Sequence, residues 1–145
     1  MANDLASFRR RMTVRGKRLV QNSEQLVRKV ALAADQAVVF ETPVDTGRAR
    51  SNWIVAINSA PDDIIQPYAP GEFGSTGARN AQAAINQAEE VISSYQSGDT
   101  IHISNNLPYI QRLNDGYSAQ APANFVETAI ALAAQEVQFG VKLLD

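Results

Sequence analysis

The chain has 145 residues, 45% hydrophobic and 19% charged, with a net charge of −2 and no cysteine. That is the size of one ordinary domain with a packed core, and it excludes a disulfide scaffold and thiolate metal sites. No apolar run approaches the roughly 20 residues of a membrane helix, and the opening MANDLASFRRRM lacks the apolar stretch of a secretory signal; the expectation is one soluble domain, 1–145, folded in a reducing cytoplasm.

The small net charge hides an asymmetry. Arg9, Arg10, Arg11, Arg15, Lys17, Arg18, Arg28 and Lys29 face only Asp4 and Glu24 within the first thirty residues, so this segment carries +6 and the remainder −8. A basic segment on an acidic body suits contact with nucleic acid, with an acidic neighbour or with another copy of the same chain; a solvated arginine-rich helix face is the plainer alternative. Arg9, Arg10 and Arg11 are consecutive and therefore point around a helix, which fits a broad electrostatic surface better than base readout.

From Leu19 onward, Leu26, Val30, Ala33, Ala37 and Phe40 recur at helical spacing, predicting a long amphipathic helix. Gly16 can separate this helix from a shorter one around Asp4 to Met12, making 1–18 a basic helical segment. Pro43 disfavours helical geometry at Thr42, so the helix ends near Glu41. Val44-Asp45-Thr46-Gly47 is turn-forming, and Ser51 to Asn58 alternates as a strand in which Trp53, Val55 and Ile57 share one face. Trp53 is expected in the core.

Ser59 to Gly77 holds Pro61, Pro67, Pro70, Gly71, Gly74 and Gly77 and shows no period, so it reads as a long loop over 59–77. Its Ile64, Ile65, Tyr68 and Phe73 are too apolar for a solvated linker, and the loop is expected to order against a partner, such as a neighbouring subunit. Ala81, Ala84, Ile85, Ala88, Val91 and Ile92 predict a helix. Asp99 to Ser104 alternates as a second strand, able to pair with the first. Leu107 to Asn114 predicts a short helix closed by Gly116, and Phe125, Val126, Ala129, Ile130, Ala133, Val137 and Val141 a final one after Pro122. The fold class is α+β.

Acid–base or nucleophilic catalysis needs convergent groups. The single histidine, His102, lies on a strand face between Thr100 and Ser104 and is read as structural. Asp62-Asp63 and Glu89-Glu90 are sequence neighbours that do not share a helix face and lack metal-ligand spacing. The glycines of GEFGSTG, Gly71, Gly74 and Gly77, follow no strand and precede no Gly-Lys-Ser/Thr, so a phosphate loop is not assigned. No catalytic, metal or cofactor-binding residue is assigned, and an enzyme is not expected.

Two stretches carry more than composition: Thr42-Pro43-Val44-Asp45-Thr46-Gly47-Arg48-Ala49-Arg50-Ser51-Asn52-Trp53, and Ile103 to Ser118 (ISNNLPYIQRLNDGYS) with Gln120-Ala121-Pro122. In this order, across roughly residues 20 to 140, they resemble the small tail-completion and neck proteins of tailed double-stranded DNA bacteriophages. The resemblance implies a structural virion protein, made in the host cytoplasm, that forms a homo-oligomeric ring at the head-proximal end of the tail. Tail-tube and head-connector proteins are its implied partners, with genomic DNA passing through the channel and no membrane involved. Six copies would match a tail tube and twelve a connector; tail-terminator and head-closure proteins are the near alternatives.

The resemblance makes Pro43, Asp45, Thr46, Gly47, Arg48, Trp53, Asn105, Tyr109, Leu113, Gly116 and Pro122 structural signatures. Physically, Asp45 and Thr46 can brace the turn, Gly47 permits a positive φ, Asn105 can bond backbone where the strand ends, and Tyr109 and Leu113 share a helix face. The arginine-rich start and the 59–77 loop would make contacts within the ring, the former with DNA or an acidic partner. The reading from a different class is a nucleic-acid-binding module using the basic N-terminal segment; a third is a small hydrolase with His102 as base.

Overall fold

A computed structural model describes residues 2–138. The elements in order are α1 (Ala2–Glu41), α2 (Arg48–Ser51), β1 (Ile54–Ile57), α3 (Gly77–Ile92), β2 (Ile101–Ser104), α4 (Ile110–Asn114) and α5 (Phe125–Gln138). The fold is α+β, with helices gathered on a two-stranded antiparallel sheet in which Ile54 lies opposite Ser104 and Ile57 opposite Ile101. Among the described residues no helix is long and apolar enough to cross a membrane.

α1 runs for 40 residues, about 60 Å, without a break at Gly16. A glycine in a helix interior costs only about 1 kcal/mol relative to alanine, too little to divide a helix of this length. The stripe expected to face the core is not the buried one: Leu19, Val30 and Phe40 are exposed, whereas Asp35, Val38 and Val39 are buried. Val38 and Val39 join Trp53, Ala81, Ala84, Ile85 and Ala129 in the main core, while Ala31 and Leu32 pack against the Val55, Ala88 and Ile92 cluster. Three elements flank the helix. α3 and β1 pack against Ala31 and Leu32, and α5 brings Ala129 into the core beside Val38 and Val39 and lies beside Ala33 and Ala37.

Residues 51–53 are not strand. Gly47, at φ 86, starts the short α2, and Asn52 closes it by donating from its side chain to the Arg48 carbonyl (2.8 Å). β1 therefore begins only at Ile54, β2 only at Ile101, and α3 begins at Gly77, four residues before the expected apolar period. Trp53 is core, and its indole N–H donates to the Thr42 hydroxyl (2.7 Å). Val141, expected on the last helix, lies outside the described residues.

The 59–77 loop is held by its own chain. The buried Asn52 amide accepts from the Ile65 N–H (2.8 Å) and donates to the Ile65 carbonyl (2.9 Å). The buried Asn80 amide does the same for Ala69, at 2.8 Å in each direction, and also accepts from the Ser51 hydroxyl (2.9 Å). A carboxamide presents one donor and one acceptor much as a neighbouring peptide does, so each asparagine replaces one rung of a missing strand. The expectation that this segment needs a partner to order is corrected on that ground. Ile64, Tyr68 and above all Phe73, 94% exposed, still face outward.

Asp35 is buried, and neither carboxyl oxygen has a hydrogen-bond partner among the described residues. Burial pushes its pKa from an ordinary 3.8 up to about 7, because a charge out of water without partners is costly. The folded chain thus binds this proton more tightly than the unfolded chain. The resulting stability is full below pH 4, is lost as pH rises to about 7, and amounts to about 4 kcal/mol. We expect Asp35→Asn to match the wild type in unfolding free energy at pH 4 and to exceed it at pH 8, measured by urea denaturation at both pH values.

Candidate functional site

The two segments that carry the family resemblance meet. α1 ends at Glu41; the hydroxyl of Thr42, the next residue, donates to the Val38 carbonyl (2.6 Å), and Arg50 reaches back to cap the helix, its guanidinium donating to the carbonyls of Phe40 (2.9 Å) and Thr42 (3.1 Å). Such a cap satisfies the carbonyls a helix leaves open at its C-terminus. Pro43 and Val44 then lead into the turn. Gly47 is required there twice over. Its φ of 86 is unfavourable for a residue with a Cβ, and a Cβ would lie 2.0 Å from the Asn80 side-chain nitrogen.

Asp45 ties this turn to the loop, its side chain accepting from the Phe73 N–H (2.9 Å) and its carbonyl from the Gly74 N–H (2.8 Å). The Thr46 hydroxyl accepts a long bond from the Arg48 N–H (3.4 Å). On the other side, Gln120 clasps Val44, accepting from its N–H (2.9 Å) and donating to its carbonyl (3.0 Å). Asn105 donates to the Ala49 carbonyl (2.9 Å) and accepts from the Leu107 N–H (3.2 Å), fixing the end of β2 onto α2. α4 follows, with the Leu113 N–H bonded to the Tyr109 carbonyl (3.1 Å).

Between these segments lies a groove of about 380 Å³ lined by Pro43 to Ala49 on one wall and by Tyr109, Leu113, Ser118 and Gln120 on the other. Its charged and phenolic groups are Arg48, Asp45 and Tyr109. Burial pushes the Tyr109 phenol up, and the nearby Arg48 guanidinium opposes that shift. The Arg48 Nε is buried with no hydrogen-bond partner among the described residues. The groove thus presents the Arg48 cation and the Asp45 carboxylate beside a phenol and an apolar edge.

Of the signature residues, Pro43, Asp45, Thr46, Gly47, Arg48, Tyr109 and Leu113 line this groove. Trp53 is in the core, bonded to Thr42, and Asn105 is bonded to Ala49 of the groove wall. Gly116 (φ 96) turns the chain after α4, against Ala123, and Pro122 is exposed ahead of α5. The basic residues lie elsewhere, on the N-terminal half of α1, where every residue from Asp4 to Gln21 is exposed. There Arg10, Arg11, Arg15 and Arg18 gather around Val14 on one side of the helix, a tighter grouping than the consecutive arginines predict. Lys17 lies on the same exposed stretch.

His102 lies opposite Ala56 in the sheet, and Asp62, Asp63, Glu89 and Glu90 are exposed. Among the described residues no three metal-ligating side chains gather. Gly71 and Gly74 shape the turn before α3, and Gly77 is its first residue. Four amides to which the sequence reading gave no role hold the structure: Asn52 and Gln120, within the resembling stretches, and Asn80 and Gln87, outside them, Gln87 accepting from the Val55 N–H (3.1 Å) and donating to its carbonyl (2.9 Å). Their signal was a carboxamide in an otherwise apolar stretch, as Asn80 is among the alanines of α3. No family model, curated protein or solved structure matches the chain.

Gly47→Ala forces a left-handed backbone on alanine and displaces the Asn80 amide, so a loss of about 2 to 4 kcal/mol is expected. Gln120→Ala opens only the exposed clasp on Val44 and is expected to cost about 1 kcal/mol. Urea midpoints at unchanged slope measure both.

Proposed function

We propose that the chain is a structural, non-enzymatic virion protein that forms a ring in the neck of a tailed phage, completing the tail and joining it to the head connector. The observation that carries this reading is the convergence of the two resembling segments. Separated by some sixty residues, they close on one groove, held there by Gln120 on Val44 and Asn105 on Ala49. A motif pair scattered over the surface would have no such common role.

A second support comes from α1. Its eighteen residues from Asp4 to Gln21 make a rod of about 27 Å that is exposed throughout. Most helical stability in proteins comes from packing an amphipathic face, and among the described residues this half buries no face, which fits a protein that reaches its final form in an assembly. In such a ring the tube and connector are the neighbours, six or twelve copies close the symmetry, and DNA in the channel meets weak, salt-sensitive contacts. The cluster of Arg10, Arg11, Arg15 and Arg18 favours a second reading, a nucleic-acid-binding module.

Light scattering on the purified chain, alone and with tail tubes at low and high salt, separates the two. The proposal expects a discrete ring mass, or a monomer that assembles only on the tube. A strict monomer that ignores tubes yet binds DNA with a steep salt dependence would replace it. The exposed Phe73 supplies a point test: Phe73→Ser should change stability by no more than about 0.5 kcal/mol while weakening tube binding several-fold.

A further inference from the structure

One face of α1 serves two purposes along its length. Leu5, Phe8, Met12, Leu19, Leu26, Val30, Ala33, Ala37 and Phe40 follow one another at spacings of three, four and seven and so form a single stripe. At its C-terminal end the stripe is met by α5 of the same chain, where Ala33, Ala37 and Phe40 lie beside Leu132 and Ala133. At its N-terminal end Leu5, Phe8 and Met12 are more than half exposed and Leu19 is 39% exposed. Arg11, Arg15 and Arg18, four and three residues apart, run along its flank.

The chain also displays the complement of this face. The seam between α1 and α5 leaves Phe40 54% and Leu132 58% exposed, side by side, with Glu136 at their edge. α5 carries Glu127 and Glu136 and no basic residue over Phe125–Gln138, within a body that nets −8 after residue 30. Apolar plus basic on one surface matches apolar plus acidic on the other. The chain cannot join its own two surfaces, because Met12 and Phe40 are separated by 28 residues of continuous helix, about 42 Å. Pairing two N-terminal halves with each other would oppose two rows of arginine, which like-charge repulsion disfavours. Duplex DNA would satisfy the arginines yet leave Leu5, Phe8 and Met12 in water.

We infer that the N-terminal half of α1 of one copy docks along the α1–α5 seam of a second copy, its apolar stripe on Phe40 and Leu132 and its arginines toward Glu136. This deepens the ring reading by assigning its subunit contact and rests on that reading. Because each copy offers one helix and one seam on different parts of its surface, the contact is head-to-tail, the kind that generates a ring when its rotation closes.

The absence of cysteine from the chain makes the test direct. Full-length Met12→Cys and Leu132→Cys proteins, differing in tag mass, are mixed and treated with a short bifunctional maleimide. The expected product is a two-chain species containing one of each, absent when Leu132→Cys is replaced by the exposed α3 control Ala78→Cys. Arg11→Glu with Arg15→Glu in the helix donor should lower its yield roughly tenfold or more, and Glu136→Lys in the acceptor should restore part of it. A Met12→Cys protein that links only to itself overturns the contact in favour of helix pairing, and absence of the mixed product in a chain that binds duplex DNA through Arg11 and Arg15 at low salt overturns it in favour of nucleic acid. A ring mass by light scattering without the mixed product also overturns the contact while sparing the ring. The mixed product in a protein that ignores tail tubes upholds the contact and removes the neck reading.

Discussion

The side-chain carboxamide is the interaction on which this structure depends. A sheet of two four-residue strands leaves most of the non-helical backbone without a ladder, and buried backbone groups must be paired somewhere. Asn52 pairs with both polar groups of Ile65, Asn80 with those of Ala69, Gln87 with those of Val55 and Gln120 with those of Val44. Each amide acts as a one-residue strand. Asn58 and Asn114 extend the pattern at the exposed ends, accepting from the N–H groups of Thr100 and Val126.

The groove follows from these clips. Asn80 sits where α3, α2 and the loop converge, so it fixes the loop and also limits what can stand at position 47. Gly47 sets the turn, the turn sets Arg48 against Tyr109, and Gln120 holds the far wall. The signature positions are therefore linked through packing that none of them makes alone. Asp35 shows the opposite case, a polar group buried on the same core without partners and so dependent on its proton.

Much of this was legible in the sequence. Apolar period gave α1, α3, α4 and α5 in order, alternation gave both strands and their pairing, and Pro43 gave the end of α1, while the short α2, whose last residue the strand alternation had claimed, was not legible. The choice of buried face on α1 was not legible, because the stripe of Leu19 to Phe40 and the run of Leu32, Val38 and Val39 are both apolar, and only tertiary packing selects between them. The loop was misread for a related reason. Its apolar residues were visible, but the asparagines that hold it lie outside it, at 52 and 80, and local patterns do not reveal partners across the chain. The groove could be named only through the resemblance, since its walls are some sixty residues apart.

The assembly reading joins these features into one picture, in which a clipped body presents a groove and a seam while a basic apolar helix stands clear of it. That picture requires the body to be rigid without help from a partner. The direct measurement is native-state hydrogen exchange at the Ile65 and Ala69 N–H groups, compared with the paired N–H groups of β1, in the isolated chain. The account predicts opening free energies within about 1 kcal/mol of those of the strand; exchange at the rate of unprotected peptide, with the strand still protected, would contradict it.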